Sequence, residues 1–125
     1  MSETFKGGFR RKAFFPLESN PDIFNEVIRG LGVSPSLAFV DVLSVDDTEV
    51  LAFTPRPALA LVMVCPGSPA YEARKKELDS KKDEYVGKGE DEPAVWWRQT
   101  IYNACGLYGI LHAISNGLAR QYIRE

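Results

Sequence analysis

Histidine is nearly absent from this sequence. The 125 residues include one, His112, and only two cysteines, Cys65 and Cys105. So few soft ligands cannot build a zinc cage, and neither a metal nor another cofactor is expected. Long apolar runs are missing as well: the longest, Ala58 to Cys65, falls far short of the roughly 18 residues that mark a membrane span. There is no excess of positive charge. Fifteen Lys and Arg against 17 Asp and Glu leave −2 at pH 7, which excludes the electrostatic footprint of a nucleic-acid or anionic-membrane binder. The cluster Arg10-Arg11-Lys12 is too short to change that and reads as a solvated end. The opening Met1-Ser2-Glu3-Thr4 lacks the basic-then-apolar layout of a secretory leader. The expected location is therefore the cytosol or nucleus, with both thiols reduced and no structural disulfide.

What is present is the composition of one soluble folded domain, 45% hydrophobic and 26% charged. Residues 1–12 read as a flexible arm. A helix is expected from Pro21, with Asn20 as its cap. Ile23, Phe24, Val27, Ile28 and Leu31 lie on one face of that helix, and Gly32 stops it. Leu37 to Leu43 reads as a strand. Ser44 to Phe53 holds one short helical turn between acidic caps. Pro55-Arg56-Pro57 breaks regular structure. Ala58 to Cys65 predicts a strand buried on both faces, and Cys65 itself reads as packing. Ser68-Pro69 opens a charged helix expected to run from Tyr71 to about Glu84, followed by a mobile loop over Gly87 to Pro93. One ring of the Trp96-Trp97 pair is expected in the core. An apolar helix spans about Ala104 to Ile114 and is interrupted at Asn116-Gly117. Helix, strand, strand, helix, helix implies an α/β or α+β domain.

The chemistry concentrates at Gln99-Thr100-Ile101-Tyr102-Asn103-Ala104-Cys105-Gly106. A polar stretch enters an apolar helix with Cys105 at its mouth. Unpaired backbone N–H groups and the helix dipole favour a thiolate there, and the thiolate is the nucleophilic form. Gly106 leaves the approach uncrowded. The Gln99 amide and the Cys105 N–H are the candidate donors to a developing oxyanion. On the residues alone the alternative stands beside this one: a lone helical cysteine is commonly inert packing, and a lone glutamine a surface amide.

These residues, continuing to Ile110-Leu111-His112-Ala113-Ile114, resemble the active-site helix of the ubiquitin C-terminal hydrolases. Upstream, Pro16-Leu17-Glu18-Ser19-Asn20-Pro21 resembles that family's N-terminal signature, Phe39-Val40-Asp41-Val42 its first strand, and Pro55-Arg56-Pro57 its proline-arginine-proline turn. The likeness runs in order over residues 13 to 117. It implies a papain-like cysteine peptidase fold with a knotted chain path, 13–125 being the N-terminal portion of the catalytic domain. It implies cleavage after the C-terminal glycine of ubiquitin, with Cys105 as nucleophile, Gln99 as oxyanion donor, Asn103 in a supporting role, and Leu17 in a region that touches ubiquitin.

A thiol nucleophile needs an imidazole within hydrogen-bond reach. His112 lies seven residues after Cys105, two helical turns and about 10 Å along the axis. It is read as a packed or capping histidine, and the family's catalytic His and Asp follow a later crossover loop. The expectation is a chain that carries the nucleophile without its base and lacks normal turnover alone. A remaining C-terminal half or a second chain would complete it and cover the apolar face of residues 58–64. The alternative is a non-catalytic ubiquitin-binding module or pseudo-enzyme.

Overall fold

Asn20 starts the first helix as its side chain dictates. Its Oδ1 accepts the Asp22 N–H at 2.9 Å, and Pro21 needs no partner at the first helical position. The resulting α1, Pro21–Gly30, is the first helix of the computed structural model, which describes residues 13–124. The arm expected over residues 1–12 lies outside the described residues, as does Glu125. Past α1 the chain turns at Gly32, whose φ of +86° suits a residue without a Cβ. The Arg29 guanidinium then gathers the chain beyond the turn, donating to the carbonyls of Val33 at 3.4 Å, Ser34 at 3.1 Å and Leu37.

The expected acidic cap creates α2, Thr48–Leu51. Asp47 accepts from the N–H groups of Glu49 and Val50 at 2.9 and 3.2 Å. Ser68 caps α3, Pro69–Asp79, by accepting the Tyr71 N–H at 3.1 Å. This helix starts slightly before, and ends well short of, the expected Tyr71–Glu84. It buries no residue, and helices in proteins draw most of their stability from packing an apolar face. Exposed contacts, such as Lys81–Glu77 at 3.2 Å and Ser80 Oγ to Glu77 O at 2.8 Å, support its last turn. The fourth helix, α4, covers Cys105–Ser115, and a 3₁₀ helix follows at Gly117–Tyr122. The sequence showed only the Asn116-Gly117 interruption. The 3₁₀ turn buries Ala119, too small a signature to read in advance.

The core lies between α1 and α4. Phe24 and Ile28 meet Val33, Ile110 and Ile114, with Leu17, Val27, Leu37 and Phe39 closing the edge. Each large aliphatic side chain buried in this way contributes about 1.5–3 kcal/mol. Phe24 and Phe39 meet edge to face at 5.3 Å between centroids. The C-terminal turn is tied back to the end of α1: Ser34 N–H donates to Tyr122 O at 2.7 Å, and Arg124 N–H to Gly32 O at 2.9 Å.

Two expectations are corrected here. No strand forms among the described residues, which contain only the isolated bridges Ala13–Tyr102, parallel, and Val33–Ile123, antiparallel. Residues 58–65 are not buried on both faces: Leu61 and Met63 are 82% and 83% exposed, and Cys65 is exposed with them. A strand buried on both faces needs neighbours at both edges and layers above and below. None of the described segments supplies them. Residues 37–39 are held in another way. The Asn25 amide accepts the Phe39 N–H at 2.6 Å and donates to the Phe39 carbonyl at 3.1 Å, as a neighbouring strand would. No helix among the described residues is long and apolar enough to cross a membrane.

Candidate active site

Cys105 is the first residue of α4 and is exposed, directly after a fully buried Ala104. Burial of the residue before it fixes the helix start, and with it the place of the thiol. No side chain caps α4, so the N–H groups of its first turn, beside the sulfur, have no side-chain partner. The chain reaches this point through Asn103, whose φ is +60°. Asparagine tolerates the left-handed region better than most residues with a side chain. At Asn103 the backbone turns, with Ala104 buried after it and Cys105 exposed.

The N-terminal segment crosses the same place. Phe14 N–H donates to Tyr102 O at 2.8 Å, and Leu17 packs onto the core. A Cβ on Gly106 would sit 3.3 Å from the Leu17 Cβ, so glycine is needed there for close approach rather than for an unusual φ. Leu17 is half-buried by these contacts.

Gln99 is exposed, and its amide nitrogen donates to Ile101 O at 3.2 Å. No hydrogen bond joins it to Cys105 among the described residues. The amide nitrogen carries two protons, so this local bond orients the group and leaves one N–H to give. Residues 95–100 lie along α4. Val95 N–H donates to Asn116 Oδ1 at 2.8 Å, and Asn116 Nδ2 returns a bond to Val95 O at 2.9 Å. Trp97 N–H donates to His112 Nε2 at 2.8 Å, and the Trp97 indole N–H to Ser115 Oγ at 3.2 Å. Thr100 N–H donates to the Tyr108 hydroxyl at 3.4 Å. The bonds from Thr100, first its hydroxyl and then its N–H, hold the Tyr108 phenol below its ordinary pKa.

His112 is therefore engaged. An Nε2 that accepts an N–H must be unprotonated, which places the ring proton on Nδ1. The ring also stacks on the Trp96 indole, 4.5 Å between centroids and 20° between planes. The reading of His112 as a packed residue rather than a base agrees with this geometry. The expectation of one core tryptophan does not: Trp96 is 78% and Trp97 44% exposed, because both serve as the outer side of the contact with α4. Tyr108, Ser115 and Asn116 were missed by sequence reasoning. Their signal was available, as polar groups recurring on one face of an otherwise apolar helix.

The model of ubiquitin carboxyl-terminal hydrolase family 1 matches residues 14–125. The chain belongs to this family. It is 38% identical over 105 residues to the ubiquitin carboxyl-terminal hydrolase YUH1 of Saccharomyces cerevisiae, covering 84% of this chain and 41% of that protein. It is 40% identical over 106 residues to ubiquitin carboxyl-terminal hydrolase 3 of Arabidopsis thaliana, covering 84% and 44%. With the human isozyme L1 it shares 39% identity over 103 residues, covering 81% and 44%. It thus spans less than half the length of the curated ubiquitin carboxyl-terminal hydrolases it matches. Family membership implies a papain-like architecture.

Proposed function

We propose that this chain is the nucleophile-bearing part of a deubiquitinating thiol hydrolase. The observation that carries the proposal is Cys105, exposed as the first residue of an uncapped α4 in a chain of the ubiquitin carboxyl-terminal hydrolase family. In the proposed reaction the Cys105 thiolate attacks the carbonyl carbon of ubiquitin's terminal glycine. Gln99 and the Cys105 backbone N–H steady the oxyanion. The bond to the leaving group breaks as that group takes a proton, and water then hydrolyses the thioester. The imidazole that receives the thiol proton is not His112, whose Nε2 is already occupied. We assign it, with its orienting Asp, to the further part of the papain-like domain, or to a second chain in its place. Leu17 belongs to the ubiquitin-contacting region in this reading, and residues 13–125 to one catalytic domain working in the cytosol or nucleus.

Ubiquitin carrying a C-terminal electrophile tests the assignment. Both cysteines are free and exposed, so Cys65 is a built-in control for indiscriminate thiol reactivity. A single adduct at Cys105, lost in Cys105→Ala, is expected. An adduct at Cys65, or labelling that persists in Cys105→Ala, would overturn the assignment. The engaged His112 also sustains a second reading, a ubiquitin-binding module without turnover. A full-length protein that binds ubiquitin but is never labelled would favour it.

A further inference from the structure

We propose that the polar stripe of α4, chiefly His112 with Asn116, is the positioning device for the oxyanion donor Gln99; this rests on the functional reading given above. Tyr108, His112, Ser115 and Asn116 fall within about 100° of the helix circumference, at 100° per residue. They take hold of residues 95–100 in reverse order. Asn116 holds both backbone groups of Val95, His112 the N–H of Trp97, and Tyr108 the N–H of Thr100. The segment therefore runs antiparallel to α4, from its C-terminal end toward Cys105. From Asn116 to Tyr108 the helix rises about 12 Å. Five residues of chain reach at most about 17 Å, so the strap has little slack.

The last hold, at Tyr108, is one turn from Cys105, and Gln99 is the residue beside it. Three of the holds are to backbone atoms of the strap, so they fix its path whatever side chains it carries. His112 is the central one. Its acceptor nitrogen meets the Trp97 N–H while its ring lies on Trp96, which locks two consecutive residues of the strap. Asn116 repeats the device by which Asn25 holds Phe39. It is anchored by a further bond from its Nδ2 to His112 O at 3.0 Å. An oxyanion donor acts only from a place fixed to within a few tenths of an ångström. A glutamine on an exposed strap gains that fixity from the helix beneath it.

The test is the reaction of Cys105 with ubiquitin bearing a C-terminal electrophile, followed in the full chain as a saturation curve. Gln99→Ala is expected to lower the limiting rate about a hundredfold, the scale of one lost oxyanion donor. His112→Phe keeps a ring against Trp96 and removes the acceptor. It should lower the limiting rate about tenfold at unchanged half-saturation, and His112→Gln, which restores an acceptor near Nε2, should recover most of the loss. Combined with Gln99→Ala, His112→Phe should add nothing, because residues acting through one group are not additive. Additive losses, or a His112→Phe chain that reacts like the parent, would overturn the proposal. If His112→Phe does not fold, Asn116→Asp provides the same cycle, since it keeps the acceptor for Val95 N–H and loses both donated bonds. A full-length protein whose Cys105 is never labelled overturns the nucleophile assignment itself. A labelled parent with additive losses overturns the positioning role alone.

Discussion

At the scale of single residues, the candidate site depends on backbone requirements at two positions near Cys105. Asn103 sits at a φ of +60°, and its side chain makes no hydrogen bond among the described residues. If its support is conformational, glycine should replace it freely and alanine should not. Asn103→Ala is expected to lower unfolding stability in urea by about 1 kcal/mol, the order of the left-handed penalty for a side chain with a Cβ, while Asn103→Gly stays within a few tenths. Loss of function in Asn103→Gly at parental stability would point instead to side-chain chemistry. Gly106 and Gly109 form a second contrast within α4. Alanine gains up to about 1 kcal/mol over glycine in a helix. Around Gly109 nothing lies within 4 Å of a new Cβ, whereas at Gly106 the Leu17 Cβ is 3.3 Å away and fixed to backbone. Overpacking costs about 1–3 kcal/mol, so it outweighs the propensity gain at Gly106. Gly109→Ala should raise the denaturation midpoint and Gly106→Ala should lower it. Two shifts of the same sign would show that Leu17 does not press on the helix start.

At the scale of elements, legibility followed the range of the interactions. The caps Asn20, Asp47 and Ser68 act within three residues, and each helix they start could be read from the sequence. So could the break at Gly32 and the exposed start of α4 at Cys105, since both are local. Residues 58–65 were misread because burial of an apolar run depends on elements distant in sequence. The Gln99 strap was only half legible. Gln99 carries a motif, but the residues that hold it become visible only when residues 95–100 are laid on α4. Asn25 and Asn116 belong to the same class, for an asparagine inside or at the end of a helix does not announce which strand-like segment it pairs. Asn25→Ala removes two part-buried hydrogen bonds at once. It should cost about 2 kcal/mol, because Phe39 keeps polar groups without partners, and should speed amide exchange at Phe39. Unchanged exchange would mean that other contacts hold the segment. The opposite result is expected for α3, which buries nothing. Ser68→Ala should reduce helical circular dichroism without moving the global denaturation midpoint, since local fraying and global unfolding are separate events there.

At the scale of the whole molecule, two facts bear on each other. The buried cluster draws on α1, α4 and the segments beside them, while Leu61, Met63 and Val64 stand exposed in sequence with Val62. A contiguous exposed apolar strip of this kind favours association. The same chain exposes Cys105 and holds one histidine, His112, which is committed to the Trp97 N–H, and its match covers less than half the length of its relatives. If one missing body of structure accounts for both, supplying it should correct both. Residues 1–125 alone are expected to show no turnover of a fluorogenic ubiquitin C-terminal substrate and to associate in light scattering. Met63→Lys, and more strongly Leu61→Lys with Met63→Lys, should suppress that association. Mixed with the C-terminal portion of a family member, the parent chain should gain a hydrolytic activity that disappears in Cys105→Ala, and the lysine variants should fail to gain it, because a charge on the strip opposes docking of an apolar layer. Turnover by residues 1–125 alone, abolished by Cys105→Ala, would show that a base is reached within these residues after all. The link between strip and nucleophile would also break if the doubly substituted chain were rescued as well as the parent, for the strip would then lie outside the surface that completes the enzyme.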